Sequence, residues 1–126
     1  MSSPLAGITV LSLEQAIAAP LCTRHLADLG ARVIKVENPG VGDTARHYDG
    51  AVRGLAAHFV WLNHGKRSVT LDLGSTSGRR ALEALLGTAD VTFEDAHVDA
   101  DALVSGEVRT GFRAAMSVLA RGRVHI

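Results

Sequence analysis

The strongest constraint in this chain is a pair of strand-like runs that bracket a stretch of helical periodicity. Ile8-Thr9-Val10-Leu11-Ser12-Leu13 and Arg32-Val33-Ile34-Lys35-Val36-Glu37 are short, apolar-rich and β-branched, as buried strands are. Between them Cys22, Leu26 and Leu29 share one helical face, which would bury Cys22 as a core residue. Pro20 suits a first helical residue, where its missing amide costs nothing, and Gly30 is placed to end the helix. Strand, helix and strand within about thirty residues make a βαβ unit, which requires parallel strands and a right-handed crossover.

The alternation continues downstream. Residues 38–54 hold Pro39 and several glycines and read as a long loop, and residues 56–62 as a short helix. Val69, Leu71 and Leu73 alternate with Thr70 and Asp72, predicting a strand with one buried face that is central to the fold. Ser75 or Thr76 can cap a helix whose apolar face is Leu82, Leu85 and Leu86 and whose stop is Gly87. Residues 90–93 make a fourth strand. This pattern predicts an α/β fold around a parallel sheet. Beyond Phe93 the acidic stretch 94–101 is weakly patterned, residues 112–119 suit one more helix, and Val124-His125-Ile126 reads as a strand needing continuation. The expected division is an α/β domain over 1–93 and a divergent, partly helical, truncated tail over 94–126.

Composition narrows the function classes. Hydrophobic residues make up 47% and charged residues 21%, a globular balance, while 4% aromatics leave the core to aliphatic side chains. Thirteen basic and thirteen acidic residues cancel, so no basic excess exists to hold a nucleic-acid backbone or an anionic membrane. An anionic ligand must be held by local geometry. Cys22 is the single cysteine and excludes an internal disulfide; with no basic leader and no apolar run near the roughly 20 residues of a membrane span, a cytoplasmic location is expected.

Three features invite chemistry. Asn38-Pro39-Gly40-Val41-Gly42-Asp43 lies at the carboxyl end of a strand, where open α/β sheets bind ligands, yet it matches neither a P-loop nor GxGxxG and is favoured as a structural turn. His64-Gly65-Lys66-Arg67 places two cations on a short loop, suited to a phosphate-rich ligand; a solvated basic turn is the favoured alternative. The six histidines lack the spacing of a zinc site, and there is no CxxC, so no metal is expected.

Together these segments resemble class III (CaiB/BaiF-type) coenzyme A transferases. Pro4 to Leu11 is similar to the family's "PLxGxxVL", Ala18 to Thr23 to "AGPxxT", and residues 26–37 to "LADLGAxVIKVE". Gly42-Asp43 with Arg46 resembles "GDxxR", residues 63–73 resemble "NRGKRSVTLDL", and Ala89-Asp90-Val91 resembles the "ADV" of the following strand. The likeness covers roughly the first three quarters of the chain. It implies a Rossmann-like amino-terminal part that binds coenzyme A as substrate, with no permanently bound cofactor, in an enzyme of two interlocked subunits. The implied chemistry is an aspartate nucleophile passing through acyl anhydride and CoA thioester intermediates. That aspartate lies downstream of these motifs, and Asp90, Asp95, Asp99 and Asp101 do not match it.

Residue by residue, the resemblance puts nucleotide contacts at Ile17 and Ala18 after the first strand, at Asn38, along Leu71-Asp72-Leu73-Gly74, and at Asp95-Ala96. The family's cations are replaced by Asn38, Gly74 and Leu103, and Asp95 adds an anion. Binding of coenzyme A is therefore expected to be weak. Two readings follow: part of an acyl-CoA transferase inactive alone, its partners acyl-CoA, a second copy or the remainder of the enzyme; or a degenerate non-catalytic module that binds a partner protein. A flavodoxin-like signalling domain is a third, without a phosphoacceptor pattern to support it.

Overall fold

The computed structural model describes residues 2–94 and 124–125. The elements run β1 (Thr9–Leu13), α1 (Ala18–Asp28), β2 (Arg32–Glu37), a 3-10 turn (Thr44–His47), α2 (Ala57–Leu62), β3 (Arg67–Thr70), α3 (Thr76–Thr88), β4 (Val91–Glu94) and β5 (Val124–His125). The strands form one parallel sheet in the order β3-β2-β1-β4-β5. This is the doubly wound arrangement, and the strand order reverses between β1 and β4. Residues 95–123, including the acidic stretch and the helix expected over 112–119, lie outside the described residues. The terminal Val124 and His125 do pair as a strand, alongside Val91 and Thr92.

Side-chain alternation gives the sheet two unlike faces. On one, Leu11, Ile34, Val36, Leu73, Leu82, Leu86 and Ala89 form an apolar layer under α3. On the other, Val10, Ala31, Val33 and Phe93 pack with Leu26 and Ala27 of α1. Each fully buried aliphatic side chain contributes roughly 1.5–3 kcal/mol. The register sets Ser12 beside Lys35 and Phe93, and Lys35 beside Ser68, so they share the α1 face. That face is thus apolar at the amino half of the strands and ionic at the carboxyl half.

Several local expectations are corrected. α1 starts at Ala18, so Pro20 is its third residue; the first four helical amides have no internal acceptor, and proline forfeits nothing there. The buried stripe of α1 runs through Pro20 and Thr23 rather than Cys22, which is exposed, as is Leu29. Thr23 turns inward because its hydroxyl donates to the Glu14 carboxylate at 2.6 Å. α3 is capped by Ser75, whose hydroxyl accepts from the Gly78 amide at 3.0 Å, and it passes through Gly87 to Thr88. Gly78 is required by close approach: a Cβ there would lie 1.8 Å from the Asp72 carbonyl oxygen.

Among the described residues β3 is an outer strand, not a central one, since β1 and β3 occupy the two sides of β2. It ends at Thr70, although the Leu71 amide still donates to the Glu37 carbonyl at 3.1 Å. Its one-sided apolar layer is as the alternation predicts, with Leu73 buried and Val69 and Leu71 half-buried against the α3-side core.

Candidate functional site

Because every strand is parallel, the segments after β1, β2 and β3 emerge at one edge of the sheet, and open α/β sheets bind ligands there. This edge collects Ile17 and Ala18 after β1, Asn38 after β2, and residues 71–74 after β3. Ile17 and Ala18 are exposed, Asn38 is half-buried, Asp72 is exposed, and Leu73 is buried in the α3-side core. The Asp72 carboxylate accepts from the Gly74 amide at 2.9 Å and closes the turn into α3. Asp95 and Ala96 follow β4 and, with Leu103, lie outside the described residues.

A cleft of about 240 Å³ opens between the ends of β2 and β3, lined by Glu37, Asn38, Val41, Gly42, Arg46 and Thr70. The Asn38–Asp43 loop forms one wall, so it is a structural turn that also borders a cavity. Gly42 has φ +64°, and a Cβ there would come within 2.9 Å of Glu37 Oε1 and 3.0 Å of Arg46 Cδ. Glycine lets this loop close over the ion pair beneath it.

Beside the cleft lies a connected set of paired charges, most of them buried. Arg46 Nε and Nη2 donate to the two oxygens of Glu37, each at 2.7 Å, and the guanidinium stacks 3.9 Å from the centre of the Phe59 ring. Ser68 and the Asp43 amide also donate to Glu37. Lys35 is paired with Asp43 and donates to Asn63 Oδ1 at 3.0 Å. Lys66 donates to Glu14 Oε1 at 2.7 Å, to the Pro20 carbonyl at 2.9 Å and to Asn63 Oδ1 at 3.0 Å. The side chains of Glu14, Lys35, Asp43 and Lys66 are all at most 2% exposed. Three cations thus face three carboxylates, the condition under which charge can be buried at all.

These surroundings move the titrations. Burial works to raise the Glu37 pKa, but hydrogen bonds from Arg46, Ser68 and the Asp43 amide override it and bring the value to about 2. The hydrogen bond to Glu37 raises Arg46 against the opposing effect of burial. Burial lowers Lys66, with Glu14 opposing.

The His64–Arg67 turn is therefore corrected: Arg67 is exposed, but Lys66 is an internal cation rather than a solvated one or a free phosphate ligand. The sequence reading missed the roles of Glu14, Lys35 and Asp43. A lysine inside the buried run Val33-Ile34-Lys35-Val36 was the available signal, since it needs a carboxylate within reach. Arg79 was missed as well. Its Nη1 lies 3.0 Å from the Gly74 carbonyl oxygen, bringing a guanidinium back to the turn where Gly74 carries no charge. Among the described residues, no group of three or more His, Cys, Asp or Glu is placed to hold a metal ion. No helix among them is long and apolar enough to cross a membrane.

The model for "CoA-transferase family III" matches residues 5–103. The formyl-CoA:oxalate CoA-transferase of Escherichia coli is 42% identical over 98 residues, covering 77% of this chain and 24% of the relative. A solved CaiB/BaiF family protein from Brucella suis superposes with a TM-score of 0.70 at 34% identity, covering 88% of this chain and 31% of that one. A crystal structure of a hypothetical protein from Mycobacterium tuberculosis gives a TM-score of 0.68 at 39% identity, covering 86% and 30%. The chain therefore spans about a quarter of the length of the curated relatives it matches. The segments carrying Glu14, Lys35, Glu37, Asp43, Arg46 and Lys66 all fall within the matched range.

Proposed function

Because this chain belongs to CoA-transferase family III, we propose that it forms the coenzyme A-facing part of an acyl-CoA transferase, an enzyme moving CoA between carboxylic acids. The observation that carries this reading is the gathering of the segments after β1, β2 and β3 at one edge of the sheet, beside a cleft of about 240 Å³. The acyl chemistry is assigned to residues beyond the matched range, and the assembled enzyme is expected to contain a second copy. The proposed site of action is the cytoplasm.

Binding by this chain should be weak. The buried cations Lys35 and Lys66 are already matched by carboxylates, and Arg46 is committed to Glu37. Asn38, on the cleft wall, adds no charge. Calorimetric titration with coenzyme A at low salt tests the reading: weak binding that fades as salt is added is expected, and Asn38→Arg should tighten it. A new charged contact to phosphate contributes about 1.5–3 kcal/mol, or about 10- to 150-fold. Formyl-CoA and oxalate, named by the Escherichia coli relative, are the first donor and acceptor to try.

The closed set of charges beside the cleft favours a second reading, a non-catalytic module that binds a partner protein. No uptake of coenzyme A by either chain would overturn the first reading in favour of the second.

A further inference from the structure

We propose that Asp43 is a positioning residue for the loop after β1, holding from beneath the turn that presents Ile17 and Ala18 to the ligand. The inference rests on the coenzyme A reading above and adds to it a residue that touches no ligand.

The geometry begins with Ala16. Its φ is +62°, in the left-handed region that a residue bearing a Cβ seldom adopts without support. Support comes from 27 residues away: the Ala16 amide donates to Asp43 Oδ1 at 3.0 Å. The same oxygen accepts from the Ala45 amide at 2.9 Å, which caps the 3-10 turn, while Oδ2 is paired with the buried ammonium of Lys35. Asp43 is itself fixed through its amide, which donates to Glu37 Oε1 at 2.8 Å. A second strap runs alongside, from the Thr44 amide to Gln15 Oε1 at 3.3 Å.

One buried carboxylate thus joins three bodies: the β1–α1 loop, the β2–α2 loop and the middle of the sheet. The loop it holds borders the gap between β1 and β4, the point where strand order reverses and where this fold class takes its ligands. The carboxylate is the only form that serves all three partners. An amide in its place could turn its oxygen toward the two backbone amides or toward Lys35, but not toward both.

The experiment compares the full chain with Asp43→Asn. Coenzyme A affinity is read by calorimetry and backbone exchange at residues 16–18 by amide hydrogen exchange. Asp43→Asn should weaken coenzyme A binding about tenfold and speed exchange at Ala16. Val33→Ala, which loosens the α1-side core at the amino half of the sheet, should lower the unfolding midpoint while leaving both readouts unchanged. Asp43→Glu keeps an anion for Lys35 but moves the carboxylate by one methylene relative to the Ala16 amide, and should reproduce the affinity loss even where Asp43→Asn does not fold. Unchanged affinity in a folded Asp43→Asn or a folded Asp43→Glu overturns the proposal, as does an equal loss in Val33→Ala. If the unmodified chain takes up no coenzyme A, the ligand reading fails separately. Exchange at Ala16 then decides the clamp alone, and equal exchange in the unmodified and Asp43→Asn chains overturns it.

Discussion

Glu37 ends β2 with its carboxylate 3% exposed, yet it remains ionised because Arg46 grips both of its oxygens. Its pKa of about 2 lies below the ordinary 4.5, so between those values the unfolded chain binds a proton that the folded chain does not. The stabilisation is therefore complete above about pH 4.5 and is lost as pH falls toward 2. Its size is on the order of 1–3 kcal/mol, since solvent reaches a third of Arg46 and screens the pair. Asp49, held low by the amides of Ala51 and Ala57, gives a slope of the same sign, so the decisive comparison is with Glu37→Gln. Urea midpoints at pH 3 and pH 7 should differ less in Glu37→Gln than in the unmodified chain. Equal differences would show that the pair does not hold the proton off. Nothing in the spacing of residues 35–46 announced this pairing. Sequence patterns report which side of a strand a residue faces, but a salt bridge between a strand and a loop depends on how the loop folds back. The glycine at 42 and the arginine at 46 are what allow that return.

At the scale of the elements, periodicity was a good guide wherever a face is purely apolar. The α3 side of the sheet follows the alternation of β1, β2 and β3 directly, and Leu82 and Leu86 fall where the helical pattern puts them. It misled on α1, where Thr23 rather than Cys22 faces inward, because the inner surface there is polar and ranks a hydroxyl above a thiol. It was also silent on strand order. Each βαβ unit fixes handedness, but position in the sheet follows from which edge the crossover selects, so the alternation that predicts a central β3 is equally compatible with its place outside β2. The two leucines of this side should consequently differ in energy. Leu82→Ala, with Leu82 2% exposed beneath the sheet, should cost about 3–5 kcal/mol, whereas Leu71→Ala, half-buried just past the end of the outer strand, should cost about 1–2 kcal/mol. Thermal unfolding of the two variants checks the order, and an equal or reversed loss would mean that β3 is covered more fully than its edge position allows.

For the molecule as a whole, the question is whether these residues can move an acyl group. A carboxylate nucleophile must have a free lone pair directed at the thioester carbon and must be positioned to attack it. The buried carboxylates at the carboxyl edge are all paired and at most 3% exposed, which shuts them off from a thioester carbon. Glu14 is taken by Lys66 and Thr23, Asp43 by Lys35 and two backbone amides, and Glu37 by Arg46, Ser68 and the Asp43 amide. Glu37 is further disfavoured because a carboxylate with a pKa of about 2 is a weak base and a correspondingly weak nucleophile. Asp72 is more accessible, but its oxygen closes the turn on Gly74. The expected outcome is that this chain, incubated with acyl-CoA donors and carboxylate acceptors, yields no exchanged thioester by mass spectrometry, even where calorimetry records coenzyme A uptake. Exchange that co-purifies with the chain through successive columns would sink the prediction. Its loss in Glu37→Gln or in Asp72→Asn would then identify the carboxylate that had been misread as structural.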